Sequence, residues 1–184
     1  MAPIPIPYPA QEHPGLDYEC ELVVVISRSG IDIPVSHALD HVLGYAVGND
    51  ISHREWQTKL GGGQWALGKG FDGWAPWGPG IVTKEVVTDP QTLRISTKVN
   101  GETLQDCTTE DMVFSVKEAV SFLSRGTTLS AGDVIFTGTP HGVGMGRKPQ
   151  RWLRDGDIVE TSLEGVGTCR NRVEYVKKGS NLRL

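Results

Sequence analysis

Three acidic residues stand out for the chemistry they can do together: Glu19 and Glu21, separated by Cys20, and Asp50. On an extended strand, side chains at i and i+2 point to the same face, about 7 Å apart. At an effective dielectric near 20, two carboxylates at that spacing repel by about 2 kcal/mol. Either both lie at a solvated strand mouth, or a cation sits between them. Hard oxygen ligands of this kind suit Mg²⁺, Mn²⁺ or Ca²⁺ rather than zinc. Lys69, flanked by glycines in Leu67-Gly-Lys-Gly-Phe71, is a second candidate. A lysine so placed is either a loop residue or a group that donates a proton or neutralises a carboxylate or enolate.

Other patterns point less sharply. His37 and His41 share the i, i+4 spacing of a zinc pair, without the following Glu of HExxH or a nearby Cys, and read equally as solvated or capping residues. His53 and His141 fall in Gly- and Asp-rich turns. The segment from Thr137 to Gly144, Thr-Gly-Thr-Pro-His-Gly-Val-Gly, offers backbone N–H groups for an anion cradle. It has neither the Lys-Ser/Thr of a Walker loop nor dinucleotide glycine spacing. No G-x-S-x-G elbow announces a serine hydrolase. Arg147, Lys148, Arg151 and Arg154 form a basic cluster, either a solvated face or a rim that steers anions.

The frame for these groups is one domain: 184 residues, 20.0 kDa, formal net charge −4. Twenty-two acids against eighteen bases leave no basic surplus for nucleic acid. The longest aliphatic run, Leu22-Val-Val-Val-Ile26, is far too short to span a bilayer. The first fifteen residues contain no Lys or Arg and no apolar core segment, so neither signal nor transit peptide is expected. Three cysteines without a CxxC pair fit a reducing compartment, and the expectation is a cytoplasmic protein, with a mitochondrial one as the alternative if the natural N-terminus is longer. Alternate prolines at the start predict an extended, polyproline-like arm over 1–16, ahead of a catalytic domain over 17–184.

Residues 18–26 read as a strand that is apolar on both faces beyond residue 21, hence interior, with Glu19 and Glu21 at its mouth. Ser36–Leu43 reads as a short helix with Ser36 as N-cap and Gly44 as its stop. Tyr45–Asp50, Ile81–Thr83, Leu93–Val99, Glu102–Gln105, Val134–Thr137, Ile158–Ser162 and Val173–Val176 read as strands. Asn100-Gly101 is a hairpin turn signal. Ser115–Ser124 carries apolar residues at helical spacing and closes at Gly126. The fold class is therefore mainly β with peripheral helices.

Taken in order, five stretches resemble the fumarylacetoacetate hydrolase family. They are Asp17-Tyr-Glu-Cys-Glu-Leu22, Gly44 through Gln57, Leu67-Gly-Lys-Gly-Phe-Asp72, Val99-Asn-Gly-Glu102, and Gly132 through Gly144. Arg54-Glu-Trp-Gln57, Gln64-Trp65 and Arg147-Lys-Pro149 are most similar to the fumarylacetoacetate hydrolase domain-containing group, whose members include oxaloacetate keto–enol tautomerases. The resemblance implies a mixed β-sandwich roll, a homodimer, and a small carboxylic acid as substrate. It also implies Mg²⁺ or Mn²⁺ held by Glu19, Glu21 and Asp50, with Lys69 moving a proton beside a metal-stabilised enolate. Arg54, Gln57, Gly138 and Thr139 would hold substrate oxygens. The expected function is metal-dependent chemistry on oxo- or dioxo-carboxylic acids, by C–C hydrolysis or through an enolate. The alternatives are oxaloacetate tautomerisation or decarboxylation, and a silent or pathway-specific member. Family members usually carry a lid segment ahead of the proline arm, with a His and a Glu that activate water. No stretch of this sequence matches that dyad, so enolate chemistry is a firmer expectation than hydrolysis. His53 and His141 are the substitutes nearest to hand.

Overall fold

The computed structural model describes residues 2–179, so the outer ends of the two segments drawn from the sequence, Met1 and residues 180–184, lie outside it. Eleven strands follow one another along the chain: β1 (Pro3–Ile6), β2 (Leu16–Asp17), β3 (Cys20–Ile26), β4 (Val42–Asn49), β5 (Ser52–His53), β6 (Trp77–Thr83), β7 (Arg94–Val99), β8 (Glu102–Thr108), β9 (Val134–Phe136), β10 (Ile158–Leu163) and β11 (Gly167–Tyr175). Among the described residues, one α-helix, α1 (Val116–Leu123), and several short 3₁₀ and π-helical segments lie between them. The strands form a five-stranded sheet in the order β1-β11-β10-β7-β8, a four-stranded sheet in the order β6-β4-β3-β9, and a small β2-β5 pair. The mainly-β expectation holds. No helix among the described residues is long and apolar enough to cross a membrane.

The interior strand is where its composition put it. Every residue of β3 is buried, between β4 on one side and β9 on the other. Leu22, Val24 and Ile26 join Tyr45, Val47, Ile95 and Leu163 in a core that both sheets share, closed by Val116 and Val120 of α1. Ser115 caps that helix with a capping box to Glu118, which fixes its start within one turn. Asn100 and Gly101 both take positive φ (51° and 85°), the type I′ geometry that Asn-Gly favours, and β7 turns back into β8 there.

Two expectations are corrected. The proline-rich opening is extended, but it is no free arm. Residues 3–6 pair in parallel with Arg172–Tyr175 as the edge of the larger sheet, and Ile4 and Ile6 are fully buried beside Tyr18, Ile51 and Trp74. Proline lacks an N–H and is tolerated on an edge strand, while the isoleucines between supply the buried face. The expected helix over Ser36–Leu43 is instead a 3₁₀ turn, Val35–His41, preceded by Pro34 and without a side-chain cap. Leu43 and Gly44 already belong to β4. Gly44 serves close packing rather than a helix stop: a Cβ there would lie 2.3 Å from the Val82 carbonyl oxygen of β6. Elsewhere β3, β7 and β9 are one or two residues shorter than patterned and others run longer. β6 starts at Trp77, β8 runs to Thr108 and β11 starts at Gly167, because backbone pairing continues past the apolar residues that mark a strand in sequence.

Candidate metal centre

The carboxylates meet where two antiparallel segments pass each other. Glu21 lies opposite Gly48 and Cys20 opposite Asn49 in the β3–β4 ladder. The pairing then continues past the strand ends, with the Asp50 N–H donating to the Glu19 carbonyl (2.9 Å) and Asp17 facing Ser52. Gly48 has to be glycine, since a Cβ there would sit 2.4 Å from the Phe136 ring. The result is one carboxylate oxygen each from Glu19, Glu21 and Asp50 within 4.8 Å of one another.

Glu21 is 2% exposed, and its Oε2 accepts one hydrogen bond, from the Gly138 N–H at 2.7 Å. Burial, reinforced by the charge of Asp50, pushes its carboxyl up to about 8. Asp50 is also raised, by burial, although Lys69 works against it. Lys69 Nζ lies 2.7 Å from Glu19 Oε2, 2.5 Å from Asp50 Oδ2 and 2.7 Å from Ser52 Oγ. Burial alone would lower its ammonium; the bonds to Asp50 and Glu19 outweigh that and hold it above the usual lysine value. Lys69 arrives from a 3₁₀ turn, Trp65–Gly68, and Gly68 rests directly on Gln57: a Cβ there would be 2.7 Å from the Gln57 N and Cβ. Gln57 itself sits on a π-helical turn, Trp56–Leu60, just after Arg54. Arg54 donates Nη1 to Gln57 Oε1 (3.0 Å) and pairs with Glu19 Oε1 (2.7 Å). Gln57 Nε2 is buried with no hydrogen-bond partner among the described residues, a donor in want of an acceptor.

Among the described residues, Asp17, Glu19, Glu21 and Asp50 pair only with Lys69 and Arg54, which leaves two negative charges uncompensated when all six ionise. A divalent cation matches that deficit, and an all-oxygen donor set matches Mg²⁺ or Mn²⁺. The site fits such an ion.

Glu19, Glu21, Asp50, Lys69, Arg54 and Gln57 are thus brought into one network. Gly138 and Thr139 adjoin it with their polar groups committed: the Gly138 N–H goes to Glu21, and the Thr139 hydroxyl donates to the Cys20 carbonyl and accepts from Gln105 Nε2. The glycine-rich segment is therefore an anion cradle for the chain's own carboxylates, Glu21 and, through the Gly144 and Met145 N–H groups, Asp17. His37 and His41 do not form a pair; His37 meets Asp40, and His41 bonds the Arg28 carbonyl and guanidinium. His53 is fully buried, with Nε2 on the His13 carbonyl and Nδ1 facing the Trp56 N–H, and burial lowers its pKa. His141 is exposed and lines, with Phe114 and Phe122, a cleft of about 870 Å³. The basic cluster does not act as a unit. Arg147 turns inward to the Tyr18 hydroxyl and the carbonyls of Gly142 and Leu104, and Arg151 bonds the Trp152 carbonyl. Sequence reasoning missed Asp17 and Ser52 as members of the network. Asp17 precedes Glu19 by the same two-residue step that links Glu19 to Glu21, and Ser52 follows Asp50 by two; extending the alternation would have found both.

The family described as "Fumarylacetoacetate (FAA) hydrolase C-terminal" matches residues 1–174. The chain is 45% identical over 171 residues to the mitochondrial oxaloacetate tautomerase fahd2 of Xenopus laevis, covering 93% of this chain and 53% of that protein. It is 45% identical over 158 residues to the mitochondrial oxaloacetate tautomerase FAHD2B of Homo sapiens, covering 86% and 50%. It thus spans about half the length of these curated relatives. Their names place them in mitochondria, which fits the mitochondrial alternative and lends no support to the cytoplasmic expectation. Among solved structures, a fumarylacetoacetate hydrolase of Exiguobacterium antarcticum superposes with TM-score 0.88 at 42% identity, over 95% of this chain and 62% of that one. A fumarylpyruvate hydrolase of Pseudomonas aeruginosa, solved with Mn²⁺ and pyruvate, gives 0.82 at 38% identity, over 95% and 72%. Sequence, fold and the order of the site segments agree: this chain belongs to the fumarylacetoacetate hydrolase family.

Proposed function

We propose that this chain is the catalytic portion of a divalent-cation-dependent enzyme that interconverts the enol and keto forms of a small 2-oxo dicarboxylic acid such as oxaloacetate. The observation that carries the reading is Glu21, a buried carboxylate with one hydrogen bond, converging with Glu19 and Asp50 on a point short of two positive charges. The names of the curated relatives support the reaction, and the Mn²⁺–pyruvate complex of a solved relative supports both the ion class and the 2-oxo acid.

Glu19, Glu21 and Asp50 would hold the cation, which when bound supplies Lewis-acid polarisation of the 2-oxo group. Arg54, through the guanidinium edge left after its bonds to Gln57 and Glu19, takes the substrate carboxylate. Gln57 Nε2 gives its unpartnered N–H to a second substrate oxygen. Lys69 enters the cycle as an ammonium because Asp50 and Glu19 hold it protonated. It delivers that proton to C3 of the enol and regains one from the enol hydroxyl, so the net change is isomerisation alone. Isomerisation needs no water and no further base, and a buried, neutral His53 with both ring nitrogens engaged is compatible with that.

The test is enol–keto exchange of oxaloacetate, followed by ultraviolet absorbance, with Mg²⁺, with Mn²⁺ and with EDTA. Acceleration with either ion and its loss in EDTA are expected. An undiminished rate in EDTA, or cleavage of an acylpyruvate without any effect on oxaloacetate, would refute the proposal.

A further inference from the structure

Asp17 is completely buried, yet it is a carboxylate and it touches no solvent. Four N–H groups converge on it: Tyr18 N (2.9 Å) and Gly144 N (2.7 Å) on Oδ1, Arg54 Nε (2.9 Å) and Met145 N (3.0 Å) on Oδ2. The loop that supplies two of them approaches only because residue 144 is glycine; a Cβ there would lie 1.9 Å from the Arg151 carbonyl oxygen and 2.8 Å from Asp17 Oδ1.

A loop anchor alone would not require a charge. The charge answers Arg54, which has a second suitor: Glu19 Oε1 lies 2.7 Å from Nη1. A guanidinium is a rigid planar fork, so fixing Nε on Asp17 and Nη1 on Gln57 and Glu19 fixes the direction of Nη2 as well. Without Asp17 the nearest counter-charge for Arg54 is Glu19, and the fork would swing onto the carboxylate cluster. We infer that Asp17 is a positioning residue: it sets the plane of Arg54 so that Nη2 faces an anionic ligand, and it couples that plane to the 142–147 loop. This rests on the assignment of Arg54 to a substrate carboxylate made above.

The test uses oxalate, a dianion that is not turned over, titrated by calorimetry into Mn²⁺-loaded protein. Asp17→Asn keeps the shape but sets an amide N–H against the donors of Arg54 and Met145. Loss of a charge-assisted bond predicts oxalate binding weakened about 10-fold or more, with Mn²⁺ affinity within about threefold of wild type. In an Arg54→Met background the same change should add nothing. Equal weakening in both backgrounds, or an equal loss of Mn²⁺ affinity, would make Asp17 merely structural and overturn the inference. Should Asp17→Asn fail to fold, the wild type answers the question by NMR. The Arg54 Nε–H should give a resolved, slowly exchanging signal, and a signal averaged with the exposed arginines overturns the inference. Oxaloacetate exchange is measured alongside. A protein that does not turn over oxaloacetate but shows the non-additive oxalate cycle keeps the role of Asp17 and loses only the reaction.

Discussion

Replacing Glu21 by Gln separates the cost of its buried charge from its use. Gln keeps the size and an oxygen for the Gly138 N–H, 2.7 Å away in the wild type, and removes the ionisable group. The Glu21 carboxyl is raised from 4.5 to about 8 by burial and by Asp50. A raised carboxyl means that between those values the folded protein holds a proton which the unfolded chain has lost. The stability this contributes is complete below about pH 4.5 and disappears as pH rises through 8. At about 1.4 kcal/mol per unit, metal-free wild type should lose roughly 3 kcal/mol more than Glu21→Gln between about pH 5.5 and 8. That is a large share of an ordinary domain's stability. Urea denaturation in EDTA at several pH values reads the difference directly. Mn²⁺ at about 1,000 times its dissociation constant should restore about 4 kcal/mol to the wild type and little to the variant. Parallel stability–pH curves for the two proteins in EDTA, or equal stabilisation of both by Mn²⁺, would refute the reasoning.

Lys69→Met should lower kcat for enol–keto exchange by about 10²-fold or more. Mn²⁺ should bind the variant as tightly or more tightly, because an ammonium no longer competes for Glu19 and Asp50; calorimetry and initial rates check the two halves. Gly68→Ala would press a methyl into the Gln57 backbone at 2.7 Å, so it should cost about 1–3 kcal/mol in thermal unfolding and reduce turnover by moving Lys69 away from Gln57. A normal melt with normal turnover would show that the contact relaxes freely. The family resemblance and the exposure of Val113 (89%), Phe114 (68%) and Phe122 (66%) lead us to expect a homodimer. Light scattering should give about twice the 20.0 kDa chain mass, and a concentration-independent monomer would contradict it.

What could be read in advance follows from how local the cause is. Asn100-Gly101 and Ser115 with Glu118 act within a few residues, and turn and helix start fall where those residues put them. Glu19 and Glu21 carry their own spacing. Asp17 shares that spacing, but its partners Gly144 and Met145 lie more than 120 positions away, so its place was legible and its hydrogen-bond role was not. Gly44 misled because a glycine after a short apolar stretch is locally indistinguishable from a helix stop, and only β6 packing across it reveals its purpose. The cradle glycines were recognised as anion binders, but nothing local says that the anions would be Glu21 and Asp17 of the same chain.

The pairing of β1 with β11 has a consequence for how the molecule is made. Residues 3–6 wait for residues 172–175 before their parallel ladder can form, so the largest loop closure in the chain completes that sheet. Ile4 and Ile6 therefore have no strand partner until residues 172–175 have been made, and high contact order of this kind slows folding. Once β11 has formed and until β1 docks on it, the flank that β1 will cover is a template for strand addition. The alternating prolines are well suited to such a wait, since a segment lacking every second N–H makes a poor strand for the wrong neighbour.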